Sequence, residues 1–268
     1  YGGKHLDRSV VVDALVNALP SVTHVMQVDT LGQAVVWPQW AGRSLVNWAD
    51  VVASNDPAID RFEPQAVPFD HPLWVVYSSG TTGLPKPIVH GHGGAMIVAL
   101  QLKTLHNDIG CSYSNNSFAE RYHWYSSTGW VMWNAQISGL LNGTTCVVFD
   151  GNPGGSKEAP DWGVLYRLAA RERVTFFGAG AAFFNNAMKA GLDVANCGDL
   201  SAVRAWGSTG SPLSAEAQNW GTAQMAAVYA NAETEQELWW CNISGGTDFA
   251  GAFIGGNREL AQVAGTMQ

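Results

Sequence analysis

The sequence is poor in charge: only 13% of its 268 residues are Asp, Glu, Lys or Arg, against 47% hydrophobic. A disordered tail or linker needs the opposite balance, so this is an ordered globular chain with enough apolar surface to bury a core. Positive charge is scarcer still, and the formal net charge is −8. That removes the diffuse attraction on which nucleic-acid binders and binders of anionic membranes depend, and an anionic ligand would need a local device. Long apolar runs are also missing. No stretch reaches the roughly 18 residues that mark a membrane span, and the first residues lack a signal-peptide layout, so the expected setting is cytoplasmic, without membrane or nucleic-acid partners. Cysteine is sparse and dispersed: Cys111, Cys146, Cys197 and Cys241 form no CxxC pair, which excludes a zinc knuckle or dense disulfide frame and leaves buried free thiols as the expectation. Low complexity and internal repeats are absent. Neither an initiator methionine at Tyr1 nor a terminating pattern before Gln268 is present, and the chain reads as an excerpt.

What is present is an alternating rhythm. Length alone allows one large α/β domain or two smaller lobes. From Leu73 onward, short apolar runs at 73–77, 122–125, 145–149, 174–177, 203–206 and 238–243 alternate with helical segments at 94–106, 130–141, 161–173, 182–190 and 214–225. Such βα repetition predicts an α/β fold with a largely parallel sheet flanked by helices. In the third helical segment Trp162, Leu165, Leu168 and Ala169 recur at three- and four-residue intervals, giving an apolar face for the sheet. Ser214 before an acidic first turn is a fitting N-cap. Residues 1–72 differ in texture, with a helix at 8–18, a strand at 24–28, polar connections, and a linker expected over 53–72. The expected division is therefore 1–72 and a βα core over 73–268.

One segment supplies the local device that the negative charge demands. After an apolar run comes Tyr77-Ser78-Ser79-Gly80-Thr81-Thr82-Gly83-Leu84-Pro85-Lys86. Glycines let backbone N–H groups approach an anion, the hydroxyls of Ser78, Ser79, Thr81 and Thr82 donate further bonds, and Lys86 brings positive charge. A flexible Ser/Gly/Thr turn is the plain alternative. Neither GxxxxGK[ST] nor GxGxxG is present here. The ten-residue string is similar to the signature loop of the adenylate-forming superfamily, which includes acyl-CoA synthetases, luciferases and peptide-synthetase adenylation domains. Its flanks, Phe69-Asp70-His71-Pro72-Leu73-Trp74 and Ile88-Val89-His90-Gly91-His92-Gly93-Gly94, resemble those of the acetoacetyl-CoA synthetases. So do, in the same order, Tyr125-Ser126-Ser127-Thr128-Gly129-Trp130-Val131-Met132-Trp133-Asn134, Gly207-Ser208-Thr209-Gly210-Ser211-Pro212-Leu213-Ser214 and Ser244-Gly245-Gly246-Thr247-Asp248.

The resemblance implies part of the large N-terminal domain of an adenylate-forming enzyme. Its substrates would be ATP, a short carboxylic acid (acetoacetate favoured) and coenzyme A, with Mg²⁺ as the metal. It implies that Ser78, Ser79, Gly80, Thr82 and Gly83 cradle phosphates, with Thr81 and Lys86 catalytic. It further implies adenine contact by Gly210, Ser211 and Pro212, nucleotide contact by Gly245, Gly246 and Thr247, and metal ligation by Asp248, a hard oxygen donor of the kind Mg²⁺ takes. Trp130, Trp133 and Asn134 would line the acyl pocket, although aromatic residues at helical spacing also fill cores. His90 and His92 have no accompanying nucleophile or carboxylate motif and read as structural. A ribose-binding Asp, a hinge and a small lysine-bearing C-terminal domain would follow Gln268. The sequence departs from the superfamily pattern at Gly265-Thr266, where Gly-Glu is usual, at Ser244, where many members carry an aromatic, and over 111–120, which is unlike a short Gly-Asp-Arg connection. Open alternatives are a nucleotide-binding remnant without turnover, an adenylating enzyme for another short acid, and a domain feeding a carrier protein.

Overall fold

A computed structural model describes residues 6–29, 32, 37–78, 83–110 and 120–268. Ser79, Gly80, Thr81, Thr82 and Cys111 lie outside the described residues. The chain divides into two compact units, one ending at Ala66 and the other running Val67–Gln268.

In the first unit, helix α1 (Ser9–Ala18) buries Val16, and the buried Trp40 donates its indole N–H to the Asp13 carboxylate on that helix at 2.8 Å. Strands β1 (His24–Gln27) and β2 (Ser44–Asn47) pair in parallel. Asn47 caps the next helix, α2 (Trp48–Val52), its side chain accepting from Ala49 N–H at 2.9 Å. The polar texture of this region concealed β2 and α2, both of which are too short to show a period. A single 3₁₀ turn (Ile59–Arg61) falls within the stretch expected to be linker.

The second unit begins with an antiparallel hairpin of β3 (Pro72–Ser78) and β4 (Lys86–Gly91), in which Ser78 lies opposite Lys86. Helix α3 (His92–Gln101) follows and runs into a π-helical turn (Leu102–His106). Then come β5 (Arg121–Trp124), α4 (Val131–Ile137) with a 3₁₀ extension (Ser138–Asn142), β6 (Thr145–Cys146), α5 (Val164–Arg171), β7 (Phe176–Gly180), α6 (Ala181–Lys189), β8 (Ala205–Thr209), α7 (Ala215–Asn231) and β9 (Trp239–Asn242). A short antiparallel pair, β10 (Ser244–Gly246) and β11 (Gly251–Ile254), completes the order.

Five of these strands form one parallel sheet in the order β6-β5-β7-β8-β9. The expected α/β architecture is met. The strand order reverses between β5 and β7. The crossovers put α4 on one face and α5, α6 and α7 on the other, as the right-handed rule for parallel connections predicts. Side chains alternate accordingly. Phe177, Trp206 and Trp240 pack with α5–α7, while Tyr122, Trp124, Phe176 and Cys241 pack on the opposite face beside Met132 of α4. Trp206 stacks on Phe184 at 5.3 Å and meets Trp240 edge-on at 5.2 Å, so the large core contains a continuous aromatic seam.

The apolar stripe of α5 is buried through Leu165, Tyr166 and Ala169, with Trp162 and Leu168 partly buried beside it. Ser214 caps α7 by accepting from Ala217 N–H at 3.2 Å, and α7 continues to Asn231, beyond the expected end at 225. The strand expected over 145–149 is only Thr145–Cys146, although Val147 N–H still donates to the Tyr122 carbonyl at 2.8 Å. The helix expected over 130–141 tightens to 3₁₀ geometry from Ser138. Cys146, Cys197 and Cys241 are free thiols.

Beside β5, β7 and β8 a partly buried ion network holds the sheet. Arg204, between β7 and β8 in chain order, pairs with Glu120 at 3.0 Å and with Asp108 at 3.5 Å; Asp108 also pairs with Arg258 at 2.7 Å. The hydroxyl of Thr175 donates to the second oxygen of Glu120 at 2.5 Å. In the interior, Gln136 of α4 accepts from the Trp124 N–H and donates to the Val147 carbonyl at 2.9 Å.

Candidate functional site

A cavity of about 380 Å³ lies within the second unit, at the carboxyl ends of β8 and β9. Carboxyl ends are where open α/β sheets place ligands, because the loops leaving them diverge. Three blocks picked out by sequence converge there: Trp130, Val131, Met132 and Asn134 at the start of α4, Thr209 to Pro212 after β8, and Ser244 to Thr247 on β10 and the turn beyond it. Helix α3 and its π turn close another side with Ala95, Ala99, Leu102 and Lys103, and Trp74 of β3 and Tyr122 of β5 complete the wall.

Local chemistry fixes these loops. Thr209 donates its hydroxyl to the Ile243 carbonyl at 2.6 Å, binding the end of β8 to the segment leaving β9. Gly210 then turns at φ +87°, a left-handed conformation that other residues take only with strain. A Cβ there would stand 3.6 Å from the Trp130 ring, so loop and α4 face each other closely. At Gly245 a Cβ would stand 2.2 Å from the Gly251 carbonyl oxygen, so β10 and β11 approach at a distance that only glycine permits. Asn242 donates to Gln218 at 3.3 Å and to the Thr266 carbonyl at 3.2 Å, and Gln218 also accepts from Gly265 N–H at 3.0 Å.

Gly210, Ser211, Pro212, Gly245, Gly246, Thr247, Trp130 and Asn134 thus share one wall system, whereas Trp133, Asp248, Lys86, Gly83 and Ser78 are not on it. Trp133 is half-buried on α4. Lys86 is exposed at the start of β4, and Gly83 is exposed with φ +91°. Asp248 is exposed in the 3₁₀ turn Thr247–Phe249, directly after Thr247 of the wall. Among the described residues no group of three or more His, Cys, Asp or Glu could hold a metal ion. A single exposed carboxylate fits Mg²⁺ that arrives on nucleotide phosphates and takes most of its ligands from them and from water.

Both histidines noted in the sequence are tied to backbone. His90 donates from Nε2 to the Thr247 carbonyl at 2.9 Å, and His92 donates from Nδ1 to the His71 carbonyl at 2.8 Å. Each thereby has one ring nitrogen committed as a donor.

Sequence reasoning missed one wall residue with unusual chemistry. Lys103 is only 2% exposed, its Nζ has no hydrogen-bond partner among the described residues, and it sits 3.1 Å from the centroid of the Tyr122 ring. Burial pushes the amine well below its usual pKa and pushes the Tyr122 hydroxyl well above its own. A signal was available: Lys103 has Ala99, Leu100, His106 and Asn107 at its helical neighbour positions, so no acid stands within a turn to pair it.

Comparison with known proteins gives a consistent set. The family described as AMP-binding enzyme matches residues 5–241. The chain is 35% identical to an acetoacetyl-coenzyme A synthetase of Rhizobium meliloti (strain 1021), over 96% of this chain and 36% of that protein. It is 31% identical to the acetoacetyl-CoA synthetase of Danio rerio, over 100% of this chain and 37% of that protein. Among solved structures, the acetoacetyl-CoA synthetase from Streptomyces lividans superposes with a TM-score of 0.79 at 40% identity, covering 96% of this chain and 36% of that one. The anthranilate CoA ligase AuaEII shares the fold at 19% identity, with a TM-score of 0.69, over 95% of this chain and 42% of that one. The chain spans a little over a third of the length of the curated relatives it matches.

Proposed function

The chain belongs to the AMP-binding enzyme family, and from that premise we propose that it is the nucleotide-binding part of an ATP-dependent acid–CoA ligase that takes acetoacetate as its acid. The observation that carries the proposal is convergence: three segments separated by about 75 and then about 30 residues, each resembling a motif of acetoacetyl-CoA synthetases, bound a single cavity at the sheet's carboxyl edge.

A carboxylate is a poor electrophile, so thioester formation needs an activated acid. In the proposed sequence an oxygen of the carboxylate attacks the α-phosphorus of ATP, the bond to the β-phosphate oxygen breaks, and pyrophosphate leaves with its electrons. The thiolate of coenzyme A then attacks the acyl carbon and AMP departs. Protein groups position and neutralise charge rather than react covalently. Gly210, Ser211 and Pro212 would hold adenine, and Gly245, Gly246 and Thr247 would contact the nucleotide. Trp130 and Asn134 would bound the acyl group, with Trp133 supporting them from behind the wall. The hairpin carries Ser78 and Lys86 on paired positions, suited to gripping phosphates together with Ser79, Gly80, Thr81, Thr82 and Gly83. Mg²⁺ would supply charge neutralisation on those phosphates, with Asp248 as its protein ligand.

The test is pyrophosphate exchange into ATP by the full-length protein, measured over a panel of short acids. Acetoacetate-dependent exchange is the expected outcome. Exchange with a different acid would correct the substrate, and AMP binding with no exchange for any acid would replace the ligase by a nucleotide-binding remnant.

A further inference from the structure

Resting on the ligase proposal, we propose that Lys103 determines acyl specificity by donating a hydrogen bond to the oxo oxygen of acetoacetate, so that the pocket selects a 3-oxo acid over its saturated counterpart.

The case starts from an imbalance. An amine removed from water without a partner is costly, and native interiors rarely leave one so. Lys103 Nζ is such a group, and the residue forms part of the cavity wall. Of the other buried polar groups on that wall, the indole nitrogen of Trp74 also lacks a partner among the described residues, whereas Ser138 and Asn107 are paired. Ser138 donates to the Ala135 carbonyl at 2.8 Å, and Asn107 donates to the Cys241 sulfur at 3.2 Å. The face of Tyr122 offers Lys103 an aromatic cloud, but a ring centroid accepts no directed bond to satisfy the remaining N–H groups. A ligand oxygen would.

The kind of oxygen follows from the surroundings. The loops assigned to the nucleotide, Gly210 to Pro212 and Gly245 to Thr247, are different segments of the wall from α3, and in the ligase reading the acid's carboxylate must meet the nucleotide's phosphate. Lys103 belongs to the α3 side, among Ala95, Ala99 and Leu102, where a short carbon chain would rest. The group reaching Lys103 is therefore the acyl tail, not the reacting carboxylate. Burial favours the uncharged amine, and an uncharged donor suits a ketone oxygen better than a second carboxylate. Butyrate, which has a methylene in place of the ketone, would leave the amine unpaired, and a site built to donate penalises such an analogue.

The experiment compares kcat/KM for adenylation of acetoacetate, butyrate and succinate by the full-length protein, in the native form and as Lys103→Met and Lys103→Gln. The native protein should favour acetoacetate. In Lys103→Met the acetoacetate value should fall about tenfold or more while butyrate holds or improves, the loss expected for one directed hydrogen bond in a dry site. Lys103→Gln, which restores a donor, should recover part of the ratio. Should Lys103→Met fail to fold, the acetoacetate-to-butyrate ratio in Lys103→Gln must still differ from native. A ratio unchanged in the variants, or an equal loss for both acids, overturns the inference and leaves Lys103 structural. A native preference for succinate overturns it by showing a charged amine that captures a carboxylate. Adenylation of no acid at all sinks the ligase proposal and this one with it.

Discussion

Acidification should destabilise this chain through one histidine. His123 lies on β5, 1% exposed, with Nδ1 donating to the Val147 carbonyl at 2.8 Å, the Phe177 ring centred 5.5 Å away, and Nε2 without a partner among the described residues. Loss of hydration in that setting lowers its pKa from 6.5 to about 4. The unfolded chain therefore binds a proton near pH 6.5 that the folded chain refuses until about pH 4, and stability falls as pH drops through that window. At about 1.4 kcal/mol per tenfold change in proton activity the full loss is about 3 kcal/mol, of which about 2 kcal/mol is lost between pH 7 and pH 5. Urea unfolding followed by tryptophan emission reads this sheet directly, since Trp124, Trp206 and Trp240 are buried in it. The comparison is between the native chain and His123→Asn, which can still donate toward Val147 but does not titrate. The variant's stability should depend on pH less steeply, by about 2 kcal/mol between pH 7 and pH 5. Every other titrating group cancels in that difference. Parallel pH profiles for the two proteins would refute the reasoning and mean that the imidazole is hydrated or finds a second partner.

Further outcomes follow from the ion network and the exposed site residues. Glu120→Ala removes the main partner of Arg204, whose side chain is 14% exposed, and an acceptor of Thr175; it should cost about 2–3 kcal/mol by chemical denaturation, with Glu120→Gln milder, and a cost under about 0.5 kcal/mol would show that the network is idle. Lys86→Ala should raise the ATP concentration needed for pyrophosphate exchange while leaving the melting temperature in place, because the lysine is exposed. Asp248→Asn keeps size and loses charge, so it should raise the Mg²⁺ requirement of exchange without shifting melting; a lowered melting temperature with normal Mg²⁺ dependence would reassign Asp248 as a turn residue.

Much of the architecture was legible because the period signals were strong. The runs around Phe177, Trp206 and Trp240 announced a buried parallel sheet, and Leu165, Leu168 and Ala169 announced the helix that covers it. The hairpin was only half legible: β3 is apolar, but β4 opens on Lys86-Pro87 and closes on His90-Gly91, residues that mark turns as readily as strands. The wall residues Gly210 and Gly245 were found by resemblance, and the physical demand for glycine at each became visible only in the fold, through a left-handed φ and a neighbouring carbonyl. Lys103 was passed over because a lysine in a helical stretch ordinarily points to water. Its burial depends on β5 lying against the π turn, a contact across nineteen residues of sequence that local pattern cannot report.

The bond from His90 to the Thr247 carbonyl spans 157 positions of the chain. Because strand side chains alternate, a deletion or insertion of one residue within β4 would swing that imidazole to the opposite face and release the turn bearing Asp248. Length variation inside β4 is therefore expected to be forbidden in functional descendants of this sequence, even though Lys86, Pro87 and Val89 of that strand are exposed and would tolerate replacement.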